Sequence, residues 1–127
     1  MKILYIHTCN KHSIKYLSSA AVDITVKSGK KCFAPTWKMV MDFKSGLLPR
    51  DEYERQYRSK MLKSMVNHKN EWEALFDLLE QKESLWFTCY CVSPDWCHRR
   101  LFAHILADAY NNSDRGDICK AVVRSVL

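Results

Sequence analysis

The chain has 127 residues, 47% hydrophobic and 27% charged, and its 20 Lys and Arg against 14 Asp and Glu give a formal charge of +6. That length suits one domain, and the even spread of aliphatic and aromatic residues excludes a disordered chain. No apolar run approaches a membrane span, and MKILYIHTCNK is not followed by a small-residue cleavage site, so a reducing cytoplasm is expected.

The strand KILYIH (2–7) is short, apolar and β-branched, and polar TCNK is expected to end it. Residues 13–20 suit a short helix, and AVDITV (21–26) a second strand. SGKKCFAP then forms a Gly- and Pro-bounded loop with Lys27, Lys30 and Lys31 at or beside it. Thr36 can cap a helix in which Trp37, Val40 and Met41 share a face, closed by Gly46. Pro49 and Asp51 open a longer helix to about Asn67. In residues 70–80, Trp72, Leu75, Phe76 and Leu79 follow the i, i+3, i+4, i+7 pattern of a buried helix face. LWFTCYC (85–91) is continuous and aromatic, as a covered central strand should be. Pro94 and Asp95 start a last helix to about Tyr110, with Leu101, Phe102, Ile105, Leu106 and Ala109 on its apolar face. Arg100, His104 and Ala107 line up away from that face. ICKAVVRSV (118–126) suits an edge strand. Strands alternating with helices predict a single three-layer α/β domain over residues 1–127, with a small, mainly parallel sheet flanked by helices.

In such a sheet, ligands bind beyond the carboxyl ends of the strands. Segments 7–10, 27–32 and 91–99 leave those ends, so Cys9, Cys32, the lysines and residues 89–99 of the cluster CYCVSPDWCHRR (89–100) are expected to line one crevice. Cys97 and Arg99 fall in or beside the first helical turn, where free backbone N–H groups favour negative charge and acidify a thiol. Arg99 offers a planar fork to the same anion. His98 points toward the sheet, as a site residue or as a core histidine bonded to a backbone carbonyl. Cys89 and Cys91 share one strand face, and Cys91 is the one that reaches the loop.

Three chemistries compete for the cluster. Zinc would need Cys89, Cys91, Cys97 and His98, but C-x-C and an adjacent C-H do not converge on a tetrahedral ion, so no metal is expected. A phosphatase-like Cys-x5-Arg loop fails because the sixth residue after Cys91 is Cys97, and Asp95 would repel a phosphate. Thiolate chemistry at Cys97 stays open. Non-covalent anion binding would use Lys27, the helix start and Arg99, with Trp37, Trp96, Tyr53 or Tyr57 stacking on a ring unless they are core.

VDITVKSGKKCFAPTW (22–37), EYERQYRSKM (52–61) and LWFTCYCVSPDWCHRRLFAHIL (85–106) together resemble the domain of unknown function 488 family. These are small α/β proteins with a late Cys-His-Arg, and the likeness is to a short branch found in bacteria and phages. The resemblance points to Asp23, Thr25, Lys27, Ser28, Pro35, Trp37, Tyr53, Tyr57, Cys89, Cys91, Cys97, His98 and Arg99 as site positions. It differs where Ser-Pro-Asp-Trp replaces the family's small or Gly-containing loop. It leaves the reaction open, and no cofactor is expected. The expected partner is a nucleotide-like, phosphate-bearing small molecule in a basic pocket, with sequestration of a nucleotide signal as a phage-type role. The rivals are a nucleic-acid-binding module and a cysteine-dependent enzyme.

Overall fold

The structure, a computed structural model, describes residues 2–10, 21–24, 30–89 and 98–126. Strands β1 (Lys2–Asn10), β2 (Ala21–Asp23), β3 (Ser84–Cys89) and β4 (Cys119–Val126) form one sheet in the order β2-β3-β1-β4. Every pairing is parallel. Helices α1 (Trp37–Lys44), α2 (Arg50–Asn67) and α3 (Lys69–Lys82) connect β2 to β3. Helix α4 (His98–Asn111) and a 3-10 turn (Asp114–Asp117) connect β3 to β4. Both connections move the chain in the same direction across the sheet, so the right-handed crossover rule stacks their helices on the same face.

The side-chain alternation agrees. Leu4 and Ile6 of β1 and Leu85 and Phe87 of β3 are fully buried on the face that α4 covers, where Phe87 meets Phe102 at 5.1 Å between ring centres. Apart from buried Thr88, the other parity is less buried: His7 stacks on Trp86 at 4.4 Å, and Arg124 lies 5.2 Å over the Tyr5 ring. The expected strands at 2–7, 21–26 and 85–91 thus lie in one parallel sheet. The first runs three residues further, to Asn10, because Thr8, Cys9 and Asn10 continue the ladder opposite Phe87, Thr88 and Cys89. Backbone pairing outweighs the polar side chains there. Beyond Ile24 and Cys89, the remainders of the other two predicted strands lie outside the described residues, as does the helix predicted over 13–20.

The helix signals act as their chemistry requires. The Thr36 hydroxyl accepts the Met39 N–H at 3.1 Å, and Gly46 takes a φ of +84° just past the end of α1. Pro49 stands at the N-cap position of α2 without a side-chain bond, and Asp51 and Glu52 follow in its first turn. One expectation fails in α4: Ala107 is buried, as are Ala103 and Tyr110. This helix packs against α2 as well as β1, β3 and β4, so only a narrow strip at His104 and Asp108 stays exposed.

His7 gives the sheet a pH dependence. Burial, followed by the charge of Arg124, holds its pKa below the usual histidine value. The fold therefore favours neutral imidazole, and the unfolded chain binds more protons around pH 6. Stability should then fall as pH drops through the ordinary value of about 6.5. The melting temperature should be lower at pH 5.5 than at pH 7.5, and the gap should narrow in His7→Phe. An equal gap in the two proteins would assign the effect to another group.

Candidate site at the carboxyl edge of the sheet

Because β1, β2 and β3 run parallel in near register, their carboxyl ends fall on one edge. Asn10 lies opposite Cys89, and Asp23 lies opposite Thr88. The Ile24 N–H donates to the Thr88 carbonyl at 3.0 Å, which carries the pairing one residue further. The segments that follow, 11–20, 25–29 and 90–97, lie outside the described residues.

The start of α4 is fastened to this edge. His98 is 5% exposed, and its Nε2 lies 2.9 Å from the Ile24 carbonyl. A carbonyl only accepts, so Nε2 carries the proton and donates. The Tyr57 ring meets His98 edge-on at 6.0 Å, and its hydroxyl donates to the Phe33 carbonyl at 2.6 Å. Ser64 then ties the loop after residue 30 to α2, and α2 to α3. The Ser64 hydroxyl donates to the Cys32 carbonyl at 2.7 Å, and it accepts the Trp72 indole N–H at 2.9 Å. Hydrogen bonds and the Tyr57–His98 ring contact thus join the end of β2, the loop 30–36, the inner face of α2 and the first turn of α4.

Arg99 sits in that first turn and is fully buried. Arginine is almost never fully buried unless paired, and Arg99 is engaged where it sits. Here it occupies the turn whose backbone N–H groups already favour an anion.

The predicted site residues divide into three groups. Tyr57 and His98 meet at the edge, Arg99 is buried next to His98 in sequence, and Asp23 lies in the strand row that ends there. Tyr53 is buried against Phe43 at 5.1 Å, and Trp37 stands 48% exposed at the start of α1. Thr25, Lys27, Ser28, Cys91 and Cys97 lie outside the described residues. Of the loop lysines, Lys30 pairs with Glu71 at 2.8 Å. Burial pushes the Cys32 thiol up, away from thiolate character, and Glu71 adds to the shift.

Sequence reasoning missed Thr8. Its side chain is fully buried near the carboxyl end of β1, and its hydroxyl has no hydrogen-bond partner among the described residues. The signal was present: in Leu4, Ile6, Thr8 a hydroxyl takes the third inward position of an apolar alternation. A buried hydroxyl without a partner is costly, so its presence calls for an explanation.

Among the described residues, no group of three or more His, Cys, Asp or Glu is placed to hold a metal ion. Of the four residues a zinc site would need here, only the His98 side chain is described. No described helix is long and apolar enough to cross a membrane.

Fold and site together define a small parallel α/β protein with a buried Cys-His-Arg arginine at its carboxyl edge. The chain matches the family described as the Active DUF488-N3 subclade over residues 14–110, and so belongs to the domain of unknown function 488 family. No curated protein and no solved structure matches it.

Proposed function

We propose that the chain binds a nucleotide-like small molecule through its phosphate at the carboxyl edge of the sheet. The observation that supports this reading most is the fully buried Arg99 in the first turn of α4. A guanidinium fork and helix N-terminal amides make complementary donors for a phosphate. The orphan hydroxyl of Thr8 supplies a further polar group on the same side of the sheet. Lys27, Ser28, Asp23 and Thr25 follow or end β2 in the sequence and Cys91 and Cys97 follow β3, so in this reading they complete the same edge. In this reading Tyr57 and His98 shape the wall, and Cys97 is either a nucleophile or a polarisable contact. The family's description as an active subclade favours testing for turnover.

Native mass spectrometry of the purified protein should show a co-purified nucleotide, and nucleoside mono-, di- or triphosphates should raise the melting temperature. Arg99→Lys keeps the charge but loses the fork, and should weaken binding by about 1.5–3 kcal/mol, the range for a hydrogen bond to a charged group. Affinity should depend shallowly on salt, whereas a nucleic-acid module would show a slope of several units. Cys97→Ser should abolish turnover and spare binding if the thiolate reacts, and change neither if it does not. A folded Arg99→Lys protein that binds as tightly as the parent would refute the pocket.

A further inference from the structure

A second basic cavity lies away from this edge, between α1 and α2. It encloses about 470 Å³, and its wall includes Lys38, Arg55, Lys60, Lys63, Ser59 and Asp42. Helix α2 separates the two places: it turns Tyr57 and Ser64 inward to the contacts described above, and turns Arg55, Ser59 and Lys63 outward.

The charge of the wall is one-sided. The acids of α2, Asp51, Glu52 and Glu54, lie at its start, and from Arg55 to Asn67 the helix has Arg55, Arg58, Lys60 and Lys63 with no acid. Asp42 is the one acid among the lining residues, and Lys38 already pairs it at 2.7 Å. Arg55 is engaged by Glu52, with Nε at 2.9 Å, in an exposed pair. Exposed pairs are worth roughly 0–1 kcal/mol, so a multiply charged ligand can draw Arg55 and Lys38 toward itself.

Lys60 distinguishes this cavity from a scatter of surface lysines. It donates to the Lys31 and Ala34 carbonyls, which fixes its ammonium on the floor. Burial holds its pKa below the usual lysine value, so an added anion would relieve the cost of its charge. Arg55, Ser59 and Lys63 are spaced i, i+4, i+8 along one face. The first and last lie about 12 Å apart along the helix axis, long enough to meet more than one phosphate.

We propose that the cavity between α1 and α2 is a separate binding site for a ligand carrying two or more consecutive phosphates. That chemistry belongs both to small oligophosphates and to the backbone of a single-stranded nucleic acid. It is met by Lys60 at the floor, Arg55 and Lys63 along the rim, and the Ser59 hydroxyl between them.

The test is a two-dimensional amide NMR titration of the isotopically labelled protein with tripolyphosphate, followed by a mixed-sequence single-stranded oligonucleotide. Amide shifts should concentrate in residues 36–42 and 55–63. The double variant Arg55→Gln, Lys63→Gln removes two exposed charges without touching the core, and should weaken tripolyphosphate binding at least tenfold. Arg99→Lys should leave those shifts in place, which separates this site from the one at the sheet edge. Oligonucleotide binding to the same amides that weakens steeply with salt identifies a nucleic-acid backbone as the source. Tripolyphosphate binding alone identifies a small oligophosphate. Absence of shifts in both segments, or unchanged affinity in the double variant, overturns the proposal.

Discussion

Phe102→Ala should destabilise the protein by about 3–5 kcal/mol, the usual cost of truncating a buried phenylalanine. Phe102 is fully buried, and its ring lies 5.3 Å from Phe33, 5.7 Å from Trp72 and 5.1 Å from Phe87. Those partners come from the loop 30–36, α3 and β3, so a single side chain of α4 ties four parts of the fold together. Aromatic pairs of this kind add roughly 0.5–1.5 kcal/mol each beyond the area they bury. The cavity left by alanine would be walled by rings from three other segments, which cannot all move in to fill it. Urea unfolding should show the loss at unchanged m-value, and Phe102→Leu should recover most of it. The variant should also loosen the candidate site, since His98 stands one helical turn before Phe102 and depends on α4 for its aim. A loss below about 1 kcal/mol would mean that the aromatic cluster is not the centre of the core.

That cluster explains why the fold is legible in the sequence. Trp72, Leu75, Phe76 and Leu79 recur at helical spacing, and all four are buried on α3. LWFTC is a continuous apolar run because β3 lies inside the sheet, between β2 and β1. Capping chemistry places the helix ends well: Thr36, Gly46 and Pro49 are local signals that act on their own neighbours. What escapes the sequence is set by contacts distant along the chain. Polar Thr8, Cys9 and Asn10 stay in β1 because β3 offers them partners some 80 residues away, which no local pattern records. Helical phase sets Ala107 on the outer side of α4, because alanine is neutral to periodicity. It is buried because α4 packs against α2, β1, β3 and β4 together, which leaves little of the helix surface open.

The site is legible in type more than in detail. The rule that ligands gather at strand carboxyl ends needs only the order of strands and helices, and the register Asn10–Cys89 and Asp23–Thr88 puts three of those ends on one edge. The helical phase of His98 and Arg99 relative to Leu101 and Phe102 sends both inward, and both are buried. The bond from His98 to the Ile24 carbonyl is the core role open to such a histidine, and Tyr57, which touches it, has its hydroxyl on a backbone carbonyl too. Periodicity cannot separate a wall residue from a ligand contact, since both need burial on the same face. Thr8 shows the opposite failure. Its hydroxyl becomes informative only when burial and the lack of a partner are known together.

Gly116→Ala should cost about 2–3 kcal/mol, at the upper end of overpacking substitutions, and Gly116→Val more. A Cβ at this position would lie 2.1 Å from the Asn111 carbonyl oxygen and 2.8 Å from its Cα. Those atoms are backbone at the last residue of α4, so the clash cannot be relieved by turning a side chain. Both structures beside it resist movement. The Asn111 side-chain amide donates to the Ala121 carbonyl at 3.0 Å and accepts the Ala121 N–H at 2.8 Å, covering the open side of edge strand β4. On the other flank Arg115 bonds Glu73 at 2.8 Å, Asp77 at 2.7 Å and Glu80 at 3.0 Å along α3, with Phe76 beneath its guanidinium at 5.6 Å. To admit a methyl group, the 3-10 turn must lift away from α3 or α4 must release β4. Gly46 is the control. It has a positive φ, but a methyl group there would meet nothing within 4 Å, so Gly46→Ala carries conformational strain alone, about 1–2 kcal/mol. Hydrogen exchange should report the difference: Gly116→Ala should speed exchange at Ala121, and Gly46→Ala should leave it protected. If Gly46→Ala proves the more damaging of the two, or if Ala121 exchanges at the parent rate in Gly116→Ala, then the turn has a way to yield that its packing does not reveal.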